Sequence, residues 1–198
     1  MEKDRRCAWC RKDALLGEYH DREWGVPVHD DRLLFEHLSL EVLQCGLNWL
    51  LMLKKREIFR ICLAGFRPEA LADFAEADIE AALSTPGMIR SRRKIEAVVH
   101  NARAFLAIQR EHGSFAAWLW NFTEGGMLIY TEHEHGIPPR NELSDRVSAS
   151  LRERGFRFLG SVTVYSFLQA CGLVNDHERS CPRFKEVMGL ASRHVFIG

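Results

Sequence analysis

Tyr19, His20, Asp21, Glu23 and Trp24 fall within eight residues, EYHDREWG, at positions 18–25. A core rarely accepts two acids beside a histidine, and a solvated loop rarely carries a Tyr and a Trp. Histidine can ligate a metal or carry a proton, and aromatic rings stack on flat bases. Near the other end, NDHERSC (175–181) sets His177 and Cys181 four apart, on one side of a helical turn. With Cys7 and His20 they make a Cys2His2 set suited to tetrahedral zinc. CAWC (7–10) offers an equal alternative, in which Cys10 joins Cys7, His177 and Cys181. A third reading treats all of them as separate surface side chains, and residue types alone leave the three open.

A carboxylate provides the second constellation. In DDRLLFEHLSLEVLQCG (30–46), Leu34, Leu38, Glu41 and Cys45 are spaced 4, 3 and 4 and share one helix face. An acid on an apolar stripe is costly to bury without a partner. Together with Trp9, Tyr19, Trp24 and Trp49 it suits a pocket that holds a base and reads its edge, although Trp24 is expected to be core. The third constellation is RGFRFLGS (154–161). Gly155 and Gly160 permit a tight turn with free amides ahead of a helix N-terminus, an arrangement that binds phosphate. Arg152, Arg154 and Arg157 add positive charge; an ordinary helix connection is the competing reading. His133 and His135 in EHEH are expected in a solvated loop. The basic runs LKKRE (53–57) and RSRRK (90–94) are either solvated faces or DNA flanks.

These side chains need a scaffold of helices. Asp30 or Asp31 caps the 30–46 segment and Gly46 stops it; Asn48 caps WLLMLKKREIFRICLAG; Pro68 opens a short helix. DIEAALS, the long amphipathic SRRKIEAVVHNARAFLAIQREHG, SFAAWLWNF behind Ser114, SDRVSASLRERG and VTVYSFLQACG supply the others. Residues 123–143 read as an irregular connection and no strand pattern appears, so an all-α, multi-helix fold is expected. The 198 residues, 46% of them hydrophobic, suffice for a sizeable core in a single unit spanning 1–198. A net charge of zero names no polyanionic partner, and local patches decide that question. No apolar run reaches membrane-spanning length, and the charged start MEKDRRCAWC is no signal peptide; a cytoplasmic protein that avoids membranes is expected. Its six cysteines are then thiols or metal ligands, with Cys45, Cys62 and Cys171 as small core residues.

YHDREWGVP, LFEHLSLEVLQCGLNWLLMLKKRE, GMIRSRRKIEAVVHNARAF and RGFRFLGSVTVYSFLQACGLVNDH together resemble the 3-methyladenine DNA glycosylase I family, of the helix-hairpin-helix DNA repair superfamily. The resemblance runs from about residue 7 to 181 and leaves 182–198 as a tail outside it. It implies a helix-hairpin-helix glycosylase fold in which a structural zinc on Cys7, His20, His177 and Cys181 joins the two chain ends, with Cys10 a bystander. It also implies base excision from alkylated double-stranded DNA by a monomer. Glu41 becomes the candidate catalytic residue, Tyr19, Trp49 and Trp9 the base-binding ones, and Gly155, Arg157, Gly160 and Ser161 the DNA contacts. N3 methylation makes the adenine cationic and weakens the glycosidic bond, so the implied chemistry is flipping, recognition and attack by water.

The chain departs from the family pattern at Val42, where Gly is usual, at Asn48 for Ser, at Leu16 for Tyr, and in lacking the hairpin's second Gly. Two other readings follow: a homologue with altered base preference, and a non-catalytic, zinc-stabilised DNA-binding module. A zinc hydrolase fits less well, because four protein ligands close the metal.

Overall fold

The computed structural model describes residues 4–130 and 137–197; His133 and His135 lie outside them. A 3-10 turn (Ala8–Lys12) leads into α1 (Ala14–Arg22), whose first turn is capped by Asp13. No helix is expected here from the sequence. α1 carries Tyr19 and His20, and successive helical side chains diverge by about 100°, so the two residues leave the helix in different directions. α2 (Asp31–Gln44) is capped by Asp30, whose side chain accepts from the Leu33 amide at 2.8 Å. Asp31 caps a different helix, accepting from the amides of Phe115 and Ala116 at 2.8 Å. Asn48 caps α3 (Trp49–Cys62), and Pro68 opens α4 (Pro68–Ala72). α5 (Glu76–Ser84), α6 (Arg92–His112) and α7 (Phe115–Trp120) follow, the last capped by Ser114.

α2 runs through the core, and every residue from Leu34 to Leu43 is buried. It packs against α3, α6, α7 and the helix Ser161–Ala170. Phe35 meets Phe105 edge-on at 5.0 Å, and Phe105 stacks on Phe115 at 4.1 Å. Each such side chain contributes about 1.5–3 kcal/mol through burial. A second apolar cluster of Cys7, Cys10, Tyr19, Trp24, Ala170 and Cys181 ties the two chain ends together.

α8 (Glu142–Glu153) and α9 (Ser161–Ala170) pack as a hairpin around a seven-residue turn, and α10 (Pro182–Met188) lies in the tail. The fold is mostly helical but not all-α. β1 (Met127–Tyr130) pairs in parallel with β2 (Val174–Asn175) on one side and β3 (His194–Ile197) on the other. β1 falls in the stretch expected to be irregular. Its MLIY is a four-residue apolar run without alternation, because it is covered on both faces rather than half-solvated. Cys171 is core as expected, whereas Cys45 and Cys62 are only half-buried.

Candidate active site and metal centre

Cys7, His20, His177 and Cys181 are all buried, and their ligand atoms lie within 4.8 Å of one another. Cys7 Sγ is 3.5 Å from His177 Nδ1, Cys181 Sγ is 3.5 Å from His20 Nε2 and 3.9 Å from His177 Nδ1, and the two ring nitrogens are 3.2 Å apart. A tetrahedron built on Zn–S of about 2.3 Å and Zn–N of about 2.0 Å has S–N and N–N edges of about 3.5 and 3.3 Å, so these separations are close to those that a single metal ion held by the four side chains requires. The second nitrogen of each ring is also engaged. His20 Nδ1 meets Asp21 Oδ1 at 2.7 Å, and His177 Nε2 meets the Trp24 carbonyl at 3.1 Å. A carbonyl only accepts, so His177 Nε2 carries the proton and Nδ1 keeps its lone pair for a metal. Burial and the neighbouring His20 push His177 down to about 4, which keeps it neutral. The Glu178 amide donates to Cys7 Sγ at 3.3 Å. Cys10 is not in this set; its thiol donates to the Cys7 carbonyl at 3.1 Å. Gly25 closes the EWG motif at φ +82, and a Cβ there would lie 2.9 Å from His177 Nε2.

Beside the cluster a cleft of about 300 Å³ opens, lined by Trp9, Tyr19, Trp24, Glu41 and Trp49, with Gln44, Ile137, Ser166 and Gln169 completing the wall. Tyr19 and Trp49 face one another at 5.3 Å and 52°. Trp9 packs edge-on against Trp24 at 5.1 Å and lies 6.3 Å from Tyr19. Glu41 reaches the cleft from α2. It is 5% exposed, and among the described residues no side chain or amide bonds its carboxyl. Burial alone pushes it from 4.5 up to about 8. Glu36, one and a half turns earlier, shows the opposite outcome. Burial raises it too, but Arg56 and Arg60 bond its Oε1 at 2.6 and 2.7 Å and bring it below its ordinary value. Burial, with Glu41 adding, raises the Tyr19 phenol, which therefore remains an O–H donor.

The hairpin turn divides its amides. Gly155, Phe156 and Arg157 spend theirs on the Arg152 carbonyl, the Leu151 carbonyl and Asn101 Oδ1, at 2.9, 3.0 and 2.8 Å. The amides from Phe158 to Thr163 have no partner among the described residues. They precede or open α9, where the helix N-terminus favours an anion. Gly160 and Ser161 therefore offer amides, whereas Gly155 only shapes the turn, at φ +85. The Ser161 hydroxyl is occupied by Asp145 at 2.5 Å, and Arg140 lies 3.1 Å from that carboxylate. The exposed Arg157 side chain borders a separate hollow with His100 and Arg103.

The structure thus brings the expected metal set together and places Glu41, Tyr19, Trp49 and Trp9 around one cleft. Trp24, expected as core, is nearly buried and also lines that cleft. Val42 is fully buried in the main core and does not line the cleft, so its side chain does not reshape the pocket wall directly. The basic runs are largely committed. Arg56 pairs with Glu23 and Glu36, Arg92 with Glu76 and Glu80, and Lys94 donates to the carbonyls of Leu43 and Cys45 at the end of α2. Sequence reasoning missed Gln44, Ser166 and Gln169, which carry no local signal. It also missed Asp21 as the His20 partner, which the HD pair could have suggested.

Residues 9–184 match the methyladenine glycosylase family. The DNA-3-methyladenine glycosylase 1 of Escherichia coli (strain K12) is 42% identical over 177 residues, covering 89% of this chain and 95% of the relative. The DNA-3-methyladenine glycosylase of Haemophilus influenzae is 39% identical over 178 residues, covering 89% and 96%. A crystal structure of 3-methyladenine DNA glycosylase I superposes with a TM-score of 0.84 at 45% identity, covering 89% of this chain and 98% of that one. A variant of 3-methyladenine DNA glycosylase I solved in complex with 3-methyladenine gives 0.85 at 37%, covering 89% and 95%. On matched length, identity and shared three-dimensional structure, this chain belongs to the methyladenine glycosylase family.

Proposed function

We propose that the chain is a monofunctional DNA-3-methyladenine glycosylase that flips the alkylated base from double-stranded DNA into the aromatic cleft and hydrolyses its glycosidic bond. The observation that carries this is Glu41, a carboxyl in an aromatic cleft with no partner of its own among the described residues. Near neutral pH the free cleft favours its protonated form. A cationic base supplies the missing countercharge and draws the group into its carboxylate form, while neutral adenine supplies none. Trp49 stacks on the base, Tyr19 borders it with a phenolic donor, and Trp9 closes the far wall. Water then attacks the sugar carbon while the base leaves with the bonding electrons, which an N3-methylated adenine accepts without prior protonation.

Cys7, His20, His177 and Cys181 hold a structural zinc in this reading, and a metal there supplies no chemistry to the reaction. It fixes the cleft wall, since Trp9 and Tyr19 are close neighbours in sequence of Cys7 and His20, and the Trp24 carbonyl itself holds His177. The amides from Phe158 to Thr163 hold a backbone phosphate, in the manner of a helix-hairpin-helix. Residues 1–198 act as one monomeric, cytoplasmic unit. Methylated duplex DNA incubated with the protein should release free 3-methyladenine, identified by chromatography. Preferential release of another base would establish an altered preference, and DNA binding with no release would favour the non-catalytic module.

A further inference from the structure

Asn101 stands on α6, a core helix that touches neither the cleft nor the metal, and its side chain is completely buried. It makes a reciprocal pair with one residue of the hairpin turn. Its Oδ1 accepts from the Arg157 amide at 2.8 Å and its Nδ2 donates to the Arg157 carbonyl at 3.0 Å. The neighbouring His100 Nε2 meets the Gly155 carbonyl at 2.9 Å. The turn is therefore gripped from α6 at both residues that flank Phe156. The very next residue, Phe158, is not glycine yet takes φ +61. Such a conformation is strained for a residue with a Cβ and persists only where the surroundings over-determine it. Beyond it begin the unpartnered amides of Phe158 to Thr163.

We infer that Asn101 is the positioning residue of the phosphate-binding hairpin. By holding both peptide groups of Arg157 it forces the chain through the left-handed Phe158, and that reversal turns the following amides outward as one row. A carboxamide suits this role, because one planar group carries both an acceptor for the Arg157 amide and a donor for its carbonyl. The inference rests on the reading of the hairpin as the phosphate site, and its test separates the two.

Three variants suffice: Asn101→Ala, Asn101→Asp and Gly160→Asp. The aspartate at 101 keeps the acceptor for the Arg157 amide and loses the donor to its carbonyl. Gly160 has φ −68 and open space around an added Cβ, so an aspartate there sets a negative charge beside the amides without a clash. The readouts are duplex affinity across salt concentrations, binding of free 3-methyladenine followed by tryptophan fluorescence, and single-turnover excision at saturating DNA. Asn101→Ala should weaken duplex binding by about tenfold or more, the worth of one or two charge-assisted hydrogen bonds, and leave its salt slope near the wild-type value, because the amides it positions carry no net charge. Free-base binding and the saturated excision rate should be retained. Asn101→Asp should fall between Ala and Asn, and it serves in place of Ala if that protein does not fold. Wild-type duplex affinity in both Asn101 variants, with Gly160→Asp weakened, overturns the inference alone. Wild-type affinity in Gly160→Asp overturns the hairpin reading beneath it. Equal loss of duplex and free-base binding in the Asn101 variants makes Asn101 an ordinary core residue and also overturns the inference.

Discussion

Tyr19 and His20 are neighbours on α1, yet the Tyr19 ring stands 5.3 Å from Trp49 in the cleft while His20 Nε2 lies 3.2 Å from His177 Nδ1 in the Cys–His cluster. One peptide bond thus links the cleft wall to the residues that tie the chain ends together. This juxtaposition accounts for the mixed composition of EYHDREWG better than either site does alone.

Glu41→Gln preserves shape and removes the charge. Excision of the cationic base should fall roughly 10- to 150-fold, the worth of one well-placed base contact of about 1–3 kcal/mol, while duplex affinity stays near the wild-type value. Base release under single-turnover conditions, beside a duplex-binding titration, measures both. Wild-type excision by this variant would place the pocket elsewhere.

The pH dependence follows from the same group. Because the free enzyme holds Glu41 near 8, kcat/KM for the cationic base should rise with pH and level off above about pH 8. The glutamine variant should lack that rise. A wild-type profile flat between pH 6 and 9 would separate recognition from the ionisation of Glu41.

Stability carries the opposite sign. The folded-state value of about 8 exceeds the ordinary 4.5, so below 4.5 the carboxyl is protonated in both states and its ionisation costs nothing. Between 4.5 and 8 the unfolded chain releases the proton and the folded one retains it. Stability therefore falls with rising pH, by at most about 1.4 kcal/mol per pH unit from this group, and levels off above 8. Glu41→Gln should melt higher than wild type, with a margin that widens from pH 5 to pH 8. Thermal melts across that range test it, and a constant margin would contradict it.

Elemental analysis should find one zinc per chain. Cys181→Ala should lose it and melt several degrees lower, because the closed loop spans nearly the whole chain. Cys10→Ala should keep its metal, since that thiol bonds only the Cys7 carbonyl. Zinc retained by Cys181→Ala, or lost by Cys10→Ala, would reassign the ligands.

Gly25→Ala should destabilise the protein by about 1–2 kcal/mol from backbone strain at positive φ, and by more from the contact its Cβ makes with His177 Nε2, 2.9 Å away. Denaturant unfolding monitors the first effect and zinc content the second. A variant as stable as wild type would mean that the EWG turn relaxes freely.

By itself the sequence determined most helices and their caps. Asn48, Ser114 and Pro68 act through bonds or ring geometry within three residues, so their signals are local. It also marked Glu41, because an acid on an apolar stripe contradicts its own neighbours, and through the family resemblance it marked the four metal ligands. Residue types alone left His20 and Cys10 as alternatives beside Cys7, His177 and Cys181; the tertiary structure brings His20 and not Cys10 into the cluster, and that outcome depends on which atoms meet across some 160 residues of chain. The three-stranded sheet was illegible for the same reason: β1, β2 and β3 are short, parallel and paired across 46 residues or more, and no local period announces such partners. Asn101 carries no local signal in the sequence. Its partner is a peptide group rather than a side chain, and the position of a peptide group is known only once the chain has folded.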